Sequence, residues 1–311
     1  MPAPLDSVEL ATPRRRESAE PKPAGSPRVA LILLCAVLGV GGWEVGATLV
    51  QHAAAPTDAD FRAAAEKLKD EHKPDEPILF APHWMDPLGR RFFGELVPME
   101  LLLLSDVDRY PRVWLVSVRG RRHPWLDGLS PQKTLRAGAV RVELFEKPAD
   151  KVLFDFTRSW DKARVERVGD KVVRCPLEGN RFLCNRMAEW NSVRPLLAEV
   201  GHHPYRCITV HPVQEQLMRV HFRGVPLGKR IVGYTGIDDF ENRKRSEAPV
   251  VLGVRIDGRL AGQIAHQNQW PWRRFEVDTT AEEGKRAEVV FEVSADKAYA
   301  RSFCFSAEAR R

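Results

Sequence analysis

Residues 29–50, VALILLCAVLGVGGWEVGATLV, contain no Lys or Arg and a single acid, Glu44. A helix of that length, at 1.5 Å per residue, covers the ~30 Å hydrocarbon core of a bilayer. The run therefore predicts a single transmembrane helix. Glu44 lies toward its C-terminal end, where a carboxylate costs less than the ~3 kcal/mol of the bilayer centre. Arg14, Arg15, Arg16, Lys22 and Arg28 precede the run, against Arg62, Lys67 and Lys69 after it. That bias predicts a cytosolic N-terminus in a bacterial inner membrane and a periplasmic or otherwise extracytoplasmic body. A cleaved signal peptide is the rival, with Ala53 and Ala55 in an A-x-A site; the 28-residue leader and Pro56 directly after the cut oppose it. Both readings export the body. Residues 1–28, rich in Pro, Ala, Ser and charge, read as a disordered tail. Gly42 and Gly46 form a GxxxG that would let two helices approach as a homodimer, although glycine is common in membrane helices generally.

Export changes the reading of cysteine. Cys35 sits in the span, which leaves Cys175, Cys184, Cys207 and Cys304, an even number in a disulfide-permissive compartment. Cys175 and Cys184 bracket CPLEGNRFLC, where Gly179-Asn180 signals a hairpin turn that would place the two thiols opposite each other. Of three connectivities, Cys175–Cys184 with Cys207–Cys304 is favoured; the alternative is four buried thiols acting as small apolar residues. No CxxC or HxxxH spacing supports a metal, and no GxGxxG, GxxxxGKS or GxSxG supports a nucleotide cofactor or a serine nucleophile. The net charge of +6 from 48 Lys+Arg and 42 Asp+Glu is too mild to imply nucleic acid.

Outside the membrane the texture changes once. Thr57 to Asp60 opens a helix as a capping-box variant, with Phe61, Ala65 and Leu68 at helical spacing. Ile78–Ala81 reads as a strand, PHWMDPLGRR as a loop, Leu96–Ser105 as a helix and Val113–Val118 as a strand. Val140–Phe145 and Val152–Phe156 add two more. Strand, helix, strand is the βαβ order, so residues 58–157 are expected to form a small Rossmann-like α/β domain. Strand-like runs separated by turn signals then fill residues 158–311: 165–174, 181–185, 193–200, 205–211, 216–222, 230–235, 250–256, 260–265, 272–278, 286–294 and 301–308. These predict a β-sandwich of jelly-roll type, with Asp257-Gly258 as a tight hairpin turn.

Two resemblances follow from these segments. APVVLGVRIDGRLAG, WRRFEVDT, AEVVFEVSA and SFCFSAEAR resemble galactose-binding-like and carbohydrate-binding jelly rolls over about 80 residues. The stretch from DEPILFAPHW to RVWLVSVRG is similar to soluble segments of multi-pass bacterial glycosyltransferases of the protein-mannosyltransferase and arabinosyltransferase kind. One span cannot supply their membrane core, so this second resemblance implies an association with envelope glycan work, or a glycosyltransferase partner, rather than an activity.

The candidate sites lie in loops. His83 and Asp86 follow the first strand, and Arg119, Arg121, Arg122 and His123 follow the second. Carboxyl ends of parallel strands are where open α/β sheets bind ligands, and this set would hold an anion or do acid–base work. The competing reading is a helix-capping Asp beside a solvated basic cluster. Trp270 and Trp272, with Arg273 and Asn268, would form a sugar platform, against one Trp inward and one at the rim. His202, His203, His211 and His221 read as loop and strand histidines. Arg243, Lys244, Arg245, Arg310 and Arg311 read as solvated charge, with an anionic envelope polymer a better partner than nucleic acid. The expected function is that of a non-catalytic accessory or binding protein in envelope glycan assembly or modification. The alternatives are a glycan-modifying or hydrolytic enzyme with its site at His83/Asp86, and a structural scaffold.

Overall fold

The computed structural model describes residues 27–53, 55–185, 187–238, 248–299 and 301–311. The tail before Pro27 and the basic run Arg243, Lys244, Arg245 lie outside these residues. The chain divides into two units, Met1–Ala55 and Pro56–Arg311. In the first, α1 (Pro27–Ala53) is one unbroken helix. Its stretch Pro27–Gln51 is long and apolar enough to cross a bilayer, a property that a signal sequence shares. A Cβ added at Gly42 or Gly46 would meet open space.

In the second unit, α2 (Asp58–Lys69) opens with the expected capping box: the Thr57 side chain accepts from the Asp60 amide, and the Asp60 carboxylate accepts from the Thr57 amide. Phe61, Ala64 and Leu68 form its buried stripe. The apolar runs ILFA and VWLVSV become β1 (Ile78–Ala81) and β2 (Arg112–Val118), paired in parallel with Ile78 opposite Trp114. Burial on both faces explains their lack of alternation. Ile78, Phe80, Trp114 and Val116 face one apolar cluster with α2, while Leu79, Ala81, Val113 and Leu115 face another.

The parallel βα order stops there. β3 (Lys133–Ala137) and β4 (Val140–Glu146) pair antiparallel, and β4 returns antiparallel along β2, giving the order β1-β2-β4-β3. The sheet is mixed rather than Rossmann-like. Gly138-Ala139 is the reason, because so short a connection can join only antiparallel strands, and Gly138 supplies a φ of +55°. The segment expected as a loop holds α3 (Asp86–Phe93), with Pro87 tolerated in its first turn. The helix expected over 96–105 shrinks to α4 (Met99–Leu102). The expected boundary between residues 157 and 158 falls inside this unit: β5 (Val152–Asp155) pairs with the chain's last strand, not with β4.

The remainder is a two-sheet sandwich, close to the expected strand list. A six-stranded sheet runs β15-β14-β17-β12-β6-β7, made of Arg259–His266, Val250–Ile256, Arg286–Ser294, Leu217–Pro226, Arg164–Val168 and Val172–Cys175. The run 165–174 is thus a hairpin rather than one strand. The eight-stranded sheet runs β16 (Arg273–Asp278), β13 (Arg230–Ile237), β18 (Phe303–Arg310), β11 (His203–Val210), β10 (Ser192–Val200), β9 (Arg181–Leu183) and β8 (Leu177–Glu178), with β5 also on β18. From β12 onward the chain passes repeatedly from one sheet to the other, so neither sheet folds without its partner. Phe156, Phe222 and Phe291 meet edge to face between them, 5.0–6.1 Å apart. Asp257 and Gly258 both take positive φ in the tight turn between β14 and β15, as expected.

The cysteines split. Cys175 and Cys184 are bonded across the Gly179-Asn180 hairpin and join the end of β7 in one sheet to the end of β9 in the other. Cys207 and Cys304 are free and buried, against the expected bridge. In register, Cys304 faces Thr209 rather than Cys207, which makes the two thiols diagonal neighbours, close enough for a side-chain hydrogen bond but not bonded to each other. Arg310 is a second correction. The expected solvated cation is buried, its guanidinium bidentate on Asp106 at 3.0 and 3.2 Å.

Candidate functional site

The structure gathers histidines that the sequence keeps far apart. β1 ends in a 3₁₀ turn, His83–Met85, which leads into α3 with Asp86 as its first residue. β2, its parallel neighbour, ends in the turn Arg119-Gly120 and delivers His123. The third contributor is the β10–β11 hairpin, whose turn Gly201-His202 is left-handed at both residues and presents His203. His83 stacks on His203 with ring centroids 6.3 Å apart. Asp86 Oδ2 is 3.9 Å from His203 Nε2 and 3.5 Å from the Arg90 guanidinium. Burial lowers the pKa of His203, opposed by the Asp86 charge. For His123 burial, helped by His83, lowers it to about 4. Both rings are neutral near pH 7. Tyr205 is pushed up to about 12 by burial and by Asp86, so its hydroxyl keeps its proton.

His83 and Asp86 thus sit together as expected, with His203 as the partner that sequence reading missed. Arg119, Arg121 and Arg122 do not join as an anion clamp. They are exposed, and Arg122 lies over the Phe145 ring at 5.5 Å. Among the described residues no group of three or more His, Cys, Asp or Glu has the geometry to hold a metal.

The residues expected to form a sugar platform each have partners within the chain. Trp272 stacks between Tyr205, at 4.5 Å, and Tyr234, at 6.1 Å, and its indole N–H donates to Ser105 Oγ at 2.9 Å. It is a packing residue over Gly236, where any Cβ would collide with its ring. Trp270 is half-buried, edge-on to His266, with the Arg273 guanidinium 3.6 Å over one face. Asn268 accepts a hydrogen bond from Arg301.

Exposed aromatics lie elsewhere. Trp190, 57% exposed, and Tyr299, 75% exposed, line a groove of about 550 Å³ with His211, Pro212, Val213, Gln214 and Ala298. Trp190 stands edge-on to the His211 ring at 4.8 Å, and His211 Nδ1 donates to the Pro212 carbonyl at 2.9 Å, leaving Nε2 as an acceptor. Apolar walls with a few polar groups, at this volume, are the ordinary makeup of a small-molecule site. A separate charged cleft around Asp106, Arg109, Glu308 and Arg310 measures about 80 Å³, room for two or three waters rather than a sugar ring. No sequence signal marked Trp190 or Tyr299, since isolated aromatics in loops carry no period.

No family model matches this chain, and no curated protein matches it. Several solved carbohydrate-binding modules are similar to parts of it. One is CBM51-2, in complex with GlcNAc, with INT domains from Clostridium perfringens ZmpB, at 18% identity and a TM-score of 0.27, covering 38% of this chain and 25% of that one. TmCBM61 in complex with β-1,4-galactotriose matches at 13% identity and 0.30, covering 51% and 96%. Caldicellulosiruptor saccharolyticus CBM27-1 in complex with mannohexaose matches at 14% and 0.33, covering 53% and 97%. The chain spans a quarter of the length of the first of these.

Proposed function

We propose that this protein is an exported, membrane-anchored glycan-binding protein that acts without catalysis as an accessory in envelope glycan assembly or modification. The groove between Trp190 and Tyr299 carries the reading. Its exposed rings suit the apolar face of a sugar, and Gln214 and His211 Nε2 supply hydrogen-bonding groups beside them. The Cys175–Cys184 bond suits an oxidising compartment, and α1 suits an anchor whose preceding arginines stay in the cytosol.

The test is retention of the purified chain on immobilised neutral and anionic envelope polysaccharides. Trp190→Ala and Tyr299→Ala are expected to abolish retention and leave the thermal midpoint within a degree or two, because exposed side chains hold little of the core. Equal retention of the wild type and both variants would sink the assignment to this groove. No retention of any glycan would leave the scaffold reading ahead.

A further inference from the structure

We propose that the pair Asp86 and His203, with side chains 26% and 18% exposed, is a second ligand site, built for a neutral polyol that presents two neighbouring hydroxyls, such as one sugar residue of a glycan. The ligand class rests on the glycan reading above; the site uses none of the same residues.

The argument begins with a proton. His203 Nδ1 lies 3.0 Å from the Pro204 carbonyl oxygen, which can only accept, so Nδ1 must donate. In the neutral ring Nε2 then carries a lone pair, and it faces Asp86 Oδ2 at 3.9 Å. Two acceptors side by side cannot satisfy each other. They call for a ligand that brings two donors, which is what adjacent hydroxyls on a sugar ring provide. A third histidine has the opposite tautomer: His123 Nδ1 accepts from the Trp125 amide at 3.2 Å, so its Nε2–H is a donor.

Charge decides between kinds of donor. Asp86 is already balanced by Arg90, 3.5 Å away, and burial keeps His123 and His203 neutral. The pair has no surplus negative charge for an ammonium and no surplus positive charge for a phosphate. The surroundings fit a sugar as well. Trp84, 58% exposed, stands on the turn that carries His83, and Trp125, 36% exposed, packs against His123 with ring centroids 4.7 Å apart. Exposed indoles on the same turns as a polar pair suit a ligand with one apolar face and a rim of hydroxyls.

The experiment uses the full-length chain in a zwitterionic, sugar-free detergent, with Trp190→Ala and Tyr299→Ala combined so that the groove is removed. Methyl mannoside, methylammonium and inorganic phosphate are titrated separately by calorimetry. Saturable binding of methyl mannoside alone is expected. Adding His203→Phe, which keeps the ring against His83 and Tyr205 but loses the acceptor, should weaken it by roughly tenfold or more, and Asp86→Ala likewise. Circular dichroism confirms that each variant is folded. The proposal is overturned if the groove-less chain binds no methyl mannoside, if His203→Phe binds as well as its parent, or if methylammonium or phosphate binds in its place. Failure here leaves the groove reading untouched, because that reading is judged by polysaccharide retention with Asp86 and His203 intact.

Discussion

Asp106 and Arg310 show what a single buried charge does here. Both side chains are 5% exposed, and the pair is completed by the Tyr234 hydroxyl, which donates to Asp106 Oδ2 at 2.8 Å. Burial would raise the Asp106 pKa, but the Arg310 charge, with hydrogen bonds from Arg310 and Tyr234, holds it below the usual carboxylate range. Asp106→Ala leaves the guanidinium held by Glu308, with Asp108 and Asp150 nearby, but takes the acceptor from the Tyr234 hydroxyl, and is expected to cost about 1–3 kcal/mol in urea unfolding. His266 sets a pH dependence. It is fully buried, its Nδ1 2.9 Å from Thr235 Oγ1, and burial lowers its pKa to about 4. The unfolded ring titrates near 6.5. Above that value the group contributes its full stability. As pH falls from about 6.5 toward 4, the unfolded chain takes up a proton that the folded one refuses, and up to about 3 kcal/mol is lost. Unfolding midpoints measured between pH 7 and 4.5 should show this decline, to which His123 also contributes because burial lowers its pKa to about 4, and His266→Gln should make it shallower by its own share. A parallel decline in the variant would assign the effect to other groups.

At the scale of elements, two contacts matter most. α3 crosses β1 at Gly89, where an added Cβ would sit 2.4 Å from the Phe80 ring. That ring is 4% exposed and locked against Phe93, so it cannot swing aside. Gly89→Ala is expected to cost about 1–3 kcal/mol by overpacking, measured by chemical unfolding. A neutral result would mean that α3 can slide along the sheet. The Cys175–Cys184 bond closes a loop with a sequence separation of 9, worth about 2–3 kcal/mol against the reduced chain. Non-reducing peptide mapping should find those two linked, with Cys207 and Cys304 alkylated only after unfolding. A Cys207–Cys304 peptide would show that the two buried thiols oxidise where they stand.

For the second unit as a whole, the mixed sheet and its connections are tied to the sandwich by the Asp106–Arg310 pair, the Trp272–Ser105 bond and the Arg109–Glu308 pair at 2.7 Å. A single unfolding transition is therefore expected, coincident by near- and far-ultraviolet circular dichroism; two separated transitions would show the mixed sheet melting on its own. Much of the architecture was legible because it rests on local rules. The apolar run of α1, the capping box at Thr57, the continuous apolar strands β1 and β2 and the glycine turns at 179 and 258 each depend on residues within a few positions of one another. That local chemistry also put Cys175 opposite Cys184. What only the tertiary structure decided was which distant segments meet. His203 joins Asp86 across more than a hundred residues, Arg310 turns inward because Asp106 waits there, and β5 leaves its neighbours in sequence for the last strand. Trp272 is half-buried between two tyrosines while Trp190 is 57% exposed, although nothing around either residue in the chain tells them apart. Propensity and periodicity set the conformation of a segment, but the partner of a side chain is chosen by packing over the whole molecule, where desolvation and steric fit are settled together.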